Sequence, residues 1–214
     1  MPVIVVANPK GGVGKSTLAT NIAGYFAARG HVVMLGDVDR QQSSRTWLGL
    51  RPAGLPPIQS WDVSQDRLVR TPKGVTHVVL DTPAGLHGKR LDEVLKIADK
   101  ILIPLQPSIF DIHATHRFIE ELRSHKRAGD VSFALVGMRT REGLISTDQL
   151  RTFLAGVDLP LLTFLRETQN YVHLSAHGCT LWDMASHRFE RDLEQWQPIT
   201  AWLNDEAYVV EEEQ

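Results

Sequence analysis

"NPKGGVGKST", residues 8–17, decides how the rest of the chain is read. The segment before it, VIVVA (3–7), is a continuous apolar run. The segment after it carries helical spacing through Leu18, Ile22, Tyr25 and Phe26, with Gly30 as a stop. A buried strand that enters a glycine-rich turn and leaves as a helix is the setting of a phosphate loop, G-x-x-x-x-G-K-[ST]. Counting back from Gly14, Lys15 and Ser16, the opening glycine is replaced by Pro9, and an extra lysine, Lys10, follows. Gly11, Gly12 and Gly14 let successive N–H groups turn inward around phosphate oxygens, and the helix start adds partial positive charge. The expected nucleotide-binding set is Gly11, Gly12, Val13, Gly14, Lys15, Ser16 and Thr17. Lys15 is placed to reach the β- and γ-phosphates, and the Ser16 hydroxyl to ligate Mg²⁺.

Outward from the loop, short apolar runs recur at 32–35, 75–81, 101–105 and 133–138. Each is nearly continuous rather than alternating, as in strands covered on both faces. Helical stripes lie between them at Leu91, Val94, Leu95 and Ala98, and at Phe118, Ile119 and Leu122. The pattern predicts an α/β fold: a doubly wound, mostly parallel sheet flanked by helices. The proline-rich 50–59 reads as a loop. Phe189, Leu193, Trp196 and Leu203 mark a last helix that Pro198 should kink or restart. The expectation is a single domain over 1–214, with an acidic, frayed tail at about 205–214.

The chain has 214 residues, 43% hydrophobic and 22% charged, with a net charge of -2. That balance excludes a wholly basic nucleic-acid binder, so any such contact needs a local patch. A single cysteine, Cys179, suits a reducing compartment and cannot supply a zinc or iron–sulfur cluster alone. No stretch reaches the roughly 18 apolar residues of a membrane span, which predicts a cytoplasmic protein without membrane contact. His113 and His116 lie one helical turn apart but lack a third ligand, so they read as solvated or packing histidines.

Two further segments place carboxylates at strand ends, where ligands of such sheets sit. MLGDVDRQQS (34–43) carries Asp37 and Asp39, and HVVLDTPAGL (77–86) carries Asp81. Strand ends in plain solvent are the simpler alternative for the first pair. The guanine-selecting N-K-x-D pattern is absent, which favours ATP over GTP. Met138 and Arg139, at the end of a late strand, are positional candidates for the adenine end.

Taken together, KGGVGKS (10–16), DVDRQ (37–41) and DTPAG (81–85) resemble the motifs of the ParA/MinD family of ATPases with a deviant phosphate loop. The resemblance continues through 101–115 and 165–183, and no helix-turn-helix extension precedes the loop, as in small core-only members. It implies that Lys10 reaches across a dimer to the partner's phosphates, so that ATP is sandwiched between two copies. A solvated loop lysine is the plain alternative. It also implies roles for the carboxylates: Asp37 supports the magnesium and lysine network, Asp39 positions the attacking water with Gln41 beside it, and Asp81 holds a water of the Mg²⁺ shell. Residues 82–85 would sense the γ-phosphate. Arg40 stands where the family's D-x-D-P-Q motif has proline, which leaves the path of that loop open.

The function implied is a switch: ATP drives dimerisation, and slow hydrolysis resets it while a ParB-like or other adaptor stimulates turnover. The cargo would be a plasmid, a chromosome or another large body. Non-specific DNA is the expected matrix, contacted through Arg117, Arg123, Lys126, Arg127 and Arg166, with a solvated charged face as the alternative. A MinD-like membrane switch fits less well, because NDEAYVVEEEQ (204–214) is acidic. A nitrogenase-like electron donor lacks cysteines. An ATP-dependent enzyme of cofactor synthesis stays open.

Overall fold

The computed structural model describes residues 1–61, 73–184 and 187–207; most of the acidic tail, 208–214, lies outside the described residues. Its strands are β1 (Val3–Val6), β2 (Val33–Asp37), β3 (Ile58–Trp61), β4 (His77–Asp81), β5 (Lys100–Leu105), β6 (Ser132–Thr140) and β7 (Leu161–Arg166). They form one seven-stranded sheet in the order β3-β2-β4-β1-β5-β6-β7. Every pairing is parallel, so the sheet is wholly rather than mostly parallel. The helices are α1 (Lys15–Ala28), α2 (Ser43–Gly49), α3 (Gly88–Ile97), α4 (Ile109–Ser124), α5 (Ile145–Ala155), α6 (Gln169–Ala176) and α7 (Glu190–Leu203).

The strands are apolar on both sides because both faces are covered. Ile4, Val6, Val79 and Leu102 pack under α1, α6 and α7 with Leu18, Ile22, Phe26, Leu174, Trp196 and Ile199. Their alternates Val3, Val5, Leu80 and Ile103 pack under α3, α4 and α5 with Leu91, Leu95, Phe118, Ile119 and Leu150. Alternation along each strand divides one apolar run between two cores. The central strand, β1, lies between β4 and β5. Its carboxyl end therefore opens where successive connections leave to opposite sides, the position at which such sheets bind ligands.

Three expectations change. The two outer strands, β3 and β7, carry no continuous apolar run: β3 buries only its end residues and β7 is mostly half-buried. Ile58 and Gln59 thus leave the proline-rich loop and enter β3, paired with Val33 and Met34. The last helix does not restart at Pro198, since α7 continues to Leu203. The buried residues Trp196, Ile199 and Leu203 hold it from both sides of the proline, and tertiary packing outweighs the lost backbone bond. Among the described residues, no helix is long and apolar enough to cross a membrane.

Candidate functional site

The loop between β1 and α1 is shaped by contacts that hold it open. Asn8 is fully buried, and its amide donates to Pro104 O at 2.7 Å and to Thr115 Oγ1 at 2.9 Å. Its carbonyl oxygen accepts from the Lys10 N–H at 2.9 Å, which starts the turn. Gln106 Nε2 donates to Gly12 O at 2.7 Å. Gly12 (φ 76°) and Gly14 (φ 98°) lie in the left-handed region. A Cβ on Gly14 would also meet Met138 Cε at 2.6 Å, so both backbone angle and space require glycine there. Among the described residues, no acceptor is bonded to the N–H groups of Gly11, Gly12, Val13 or Gly14. Four unspent donors beside a helix start form an anion cradle.

The two lysines part company. Lys15 is buried, and its Nζ donates to Lys10 O at 2.6 Å. Burial holds its pKa below the ordinary lysine value, while Asp81 and Asp39 pull it back up. Lys10 points elsewhere: its Nζ lies 3.8 Å from Asp111 Oδ1 at the start of α4, and it does not line the cleft above the loop.

The carboxylates also divide their work. Asp37 Oδ1 accepts from the Asp39 N–H at 2.9 Å, and Oδ2 from the Ser44 and Arg45 N–H groups at 2.8 and 3.2 Å. It therefore fixes the β2–α2 loop, and burial raises its pKa against those bonds. Asp39, held by that loop, lines the cleft beside Arg40. Asp81 is 2% exposed. Its Oδ2 accepts from Ser44 Oγ at 2.6 Å, but among the described residues the buried Oδ1 has no hydrogen-bond partner. Burial pushes its pKa up to about 6, opposed by the Ser16 and Ser44 hydroxyls. A buried carboxylate oxygen without a donor, close to a serine hydroxyl at the anion cradle, fits the shell of a hydrated divalent cation.

The cleft itself holds about 640 Å³. Gly11, Gly12, Gly14, Lys15, Ser16 and Thr17 form its floor; Asp39, Arg40 and Gln41 form one wall, with Thr82, Pro83, Ala84 and Arg90 beside them. Arg139 stands at the other end with φ 52°, a strained angle for a non-glycine residue, where β6 and β7 shift register. Of the expected nucleotide residues, Val13 and Met138 are buried beneath the loop and do not line the cleft. Met138 serves the site from below, against Gly14. Asn8, Ser44, Gln106 and Arg90 are contributors that motif reading missed.

The expected basic patch is dispersed. Arg123 pairs with Asp158 at 2.8 Å, Arg127 with Asp130 at 3.7 Å and Arg166 with Asp192 at 2.6 Å. Among the described residues, Arg117 and Lys126 alone of the five carry no ion pair.

Comparison with known proteins places this geometry. The family model for the CobQ/CobB/MinD/ParA nucleotide binding domain matches residues 4–181. The maintenance of carboxysome distribution protein A of Halothiobacillus neapolitanus is 31% identical over 167 residues, which are 75% of this chain and 76% of that protein. Its namesake from Gloeobacter kilaueensis is 35% identical over 123 residues, 55% of this chain and only 56% of that relative's length. Among solved structures, an ATP complex of a Cyanothece McdA variant superposes with a TM-score of 0.76 at 16% identity, covering 99% of each chain. That likeness is one of fold.

Proposed function

As the chain belongs to the CobQ/CobB/MinD/ParA nucleotide-binding family, we propose that it is a ParA/MinD-like positioning ATPase using ATP and Mg²⁺. The observation that carries the reading is the separation of the two lysines: Lys15 within its own cleft, Lys10 outside it beside Asp111. A lysine of the loop that leaves its own ligand space is available to a second copy facing the cleft. The unspent N–H groups of Gly11–Gly14 hold the phosphates, the Ser16 hydroxyl and Asp81 hold the hydrated cation, and Asp37 positions the loop that presents Asp39. The cation supplies charge neutralisation of the phosphates when bound. Asp39 orients the attacking water. Arg139, and Met138 behind it, border the adenine end.

The ATP-bound dimer is the on-state and hydrolysis the reset, so the output is a change of partner. The distribution role named for the Halothiobacillus relative supports this reading over cofactor synthesis. An adaptor protein that accelerates turnover completes the cycle. DNA as a matrix rests on Arg117 and Lys126, whose charge is not paired among the described residues, and dimerisation doubles their number.

The test separates the lysines. Lys15→Ala should abolish binding of a fluorescent ATP analogue. Lys10→Ala should retain ADP binding as a monomer yet fail to dimerise with a slowly hydrolysed ATP analogue in light scattering. An unchanged ATP-dependent dimer in Lys10→Ala would return Lys10 to the solvent and remove its role in trans.

A further inference from the structure

The cleft has two chemically different ends, and the sheet order says which is which. The phosphate loop leaves β1 at the centre. On one side β4 and β2 bring Asp81, Thr82 and Asp39; on the other, two strands away, β6 brings Arg139. The carboxylates that handle cation and water mark the β4/β2 side as the γ-phosphate end. Arg90 stands on that side, in the first turn of α3, immediately beyond the 82–85 segment.

From this placement we propose that Arg90 is a catalytic residue: a cis arginine whose guanidinium contacts the γ-phosphate as it is transferred. The proposal rests on the ATPase reading given above and deepens it. Arg40 shares the same end, but on a turn closed by Gln42 N–H to Asp39 O, with Gln42 in the left-handed region (φ 49°). Arg90 instead projects from a helix start that is fixed on both sides. Before it, the Gly85 N–H donates to Pro9 O at 2.8 Å, tying the segment to the phosphate loop, and Leu86 is buried. Immediately after it, Leu91 is 2% exposed in the core. A charge held on a pinned backbone is preorganised for the place where negative charge develops. Guanidinium also suits the task, because it stays protonated and presents several donors to phosphate oxygens.

In the step, the water oxygen forms a bond to the γ-phosphorus while the bond to the bridging oxygen breaks. The electron pair leaves with ADP, and the water's proton passes to solvent or to the phosphate released. Arg90 transfers no proton; it neutralises the equatorial oxygens. Lys10 from a partner would supply charge in trans, so the same phosphoryl group would meet Lys15 and Arg90 from one copy and Lys10 from the other.

The experiment uses the full chain with ATP, ADP and Mg²⁺. Arg90→Ala should lower kcat by about 10²–10³-fold, as the loss of a preorganised donor does. It should weaken a slowly hydrolysed ATP analogue by about tenfold or less, leave ADP affinity unchanged and leave the melting temperature unchanged. Added guanidinium should restore part of the turnover, and Arg90→Lys should fall between the two. Unchanged kcat in Arg90→Ala overturns the proposal while wild-type turnover keeps the ATPase reading intact. Equal weakening of ADP and ATP also overturns it, by making Arg90 a general phosphate or loop contact, as does loss of the ATP-dependent dimer with no rescue by guanidinium. A wild-type chain that neither binds nor hydrolyses ATP defeats the underlying reading instead.

Discussion

Asp81 and Asp192 are both buried carboxylates, and their surroundings could hardly differ more. Asp192, fully buried on α7, has both oxygens engaged: Oδ1 accepts from Arg166 Nε and Oδ2 from Asn170 Nδ2, each at 2.6 Å. Asp81 has one oxygen engaged by Ser44, while the other makes no hydrogen bond among the described residues and has the Ser16 hydroxyl of the phosphate loop near it. The first arrangement is closed and joins β7, α6 and α7. The second is open: it leaves a buried acceptor unsatisfied among the described residues. Burial alone therefore does not tell the two carboxylates apart; the missing partner does.

The largest effect should come from breaking the closed site. Asp192→Ala leaves Arg166 and Asn170 facing a buried void, and loss of one partner of a buried pair costs about 3–5 kcal/mol. Urea denaturation should show that loss, with nucleotide affinity retained below the transition. A loss under about 1 kcal/mol would mean that Arg166 finds solvent easily, and the contrast with Asp81 would weaken.

Removing the charge at the open site should act in the opposite direction. Asp81→Asn removes a carboxylate whose pKa burial has pushed up to about 6, above the ordinary 3.8, so its ionised form is a net cost to the empty fold at neutral pH. Thermal melting without nucleotide should show equal or higher stability, by about 1 kcal/mol. Mg²⁺-dependent retention of an ATP analogue should meanwhile collapse. A variant that is destabilised as much as Asp192→Ala would make Asp81 a structural residue after all.

The sequence made the central strand, the loop and the first helix legible because their signals are local. Glycines that need positive φ, a lysine at the helix start and an apolar run all lie within residues 3–26. What stayed hidden depends on distant neighbours. Ser44 acquires meaning only through Asp81, 37 residues away, Gln106 through Gly12, 94 away, and Asn8 through Thr115, 107 away. Arg90 reads as a surface helix charge until Gly85 and Leu91 fix where its helix begins. The strands β3 and β7 escaped because edge strands bury less and so lack the continuous apolar run. The basic residues were legible as residues but not as a patch, because Asp158, Asp130 and Asp192 neutralise Arg123, Arg127 and Arg166.

The smallest effect concerns the other end of the strand that carries Asp81. His77 opens β4, stacked on Phe26 with ring centroids 4.1 Å apart and 4.2 Å from His31. Its Nδ1 lies 3.0 Å from Thr76 Oγ1. Burial, then the neighbouring His31 and the chain's amino terminus, lower its pKa to about 4. Like Asp81 it is desolvated, but it faces an aromatic stack rather than a ligand cleft. Its folded pKa lies below the unfolded value of 6.5, so the unfolded chain takes up a proton first on acidification. The stability it contributes is complete above pH 6.5 and drains away as the pH falls toward 4. His77 keeps solvent contact, so screening reduces the full shift to about 1 kcal/mol. His77→Phe keeps a ring on Phe26 and removes the titration. Between pH 6.5 and 4 the wild type should therefore lose about 1 kcal/mol more than this variant in urea titrations, while above pH 6.5 the two should run parallel. Identical acid slopes would show that His77 protonates freely within its stack. Desolvation at the amino end of β4 would then carry no energetic weight, and the unpartnered oxygen at its carboxyl end would be the only strained titratable group on that strand.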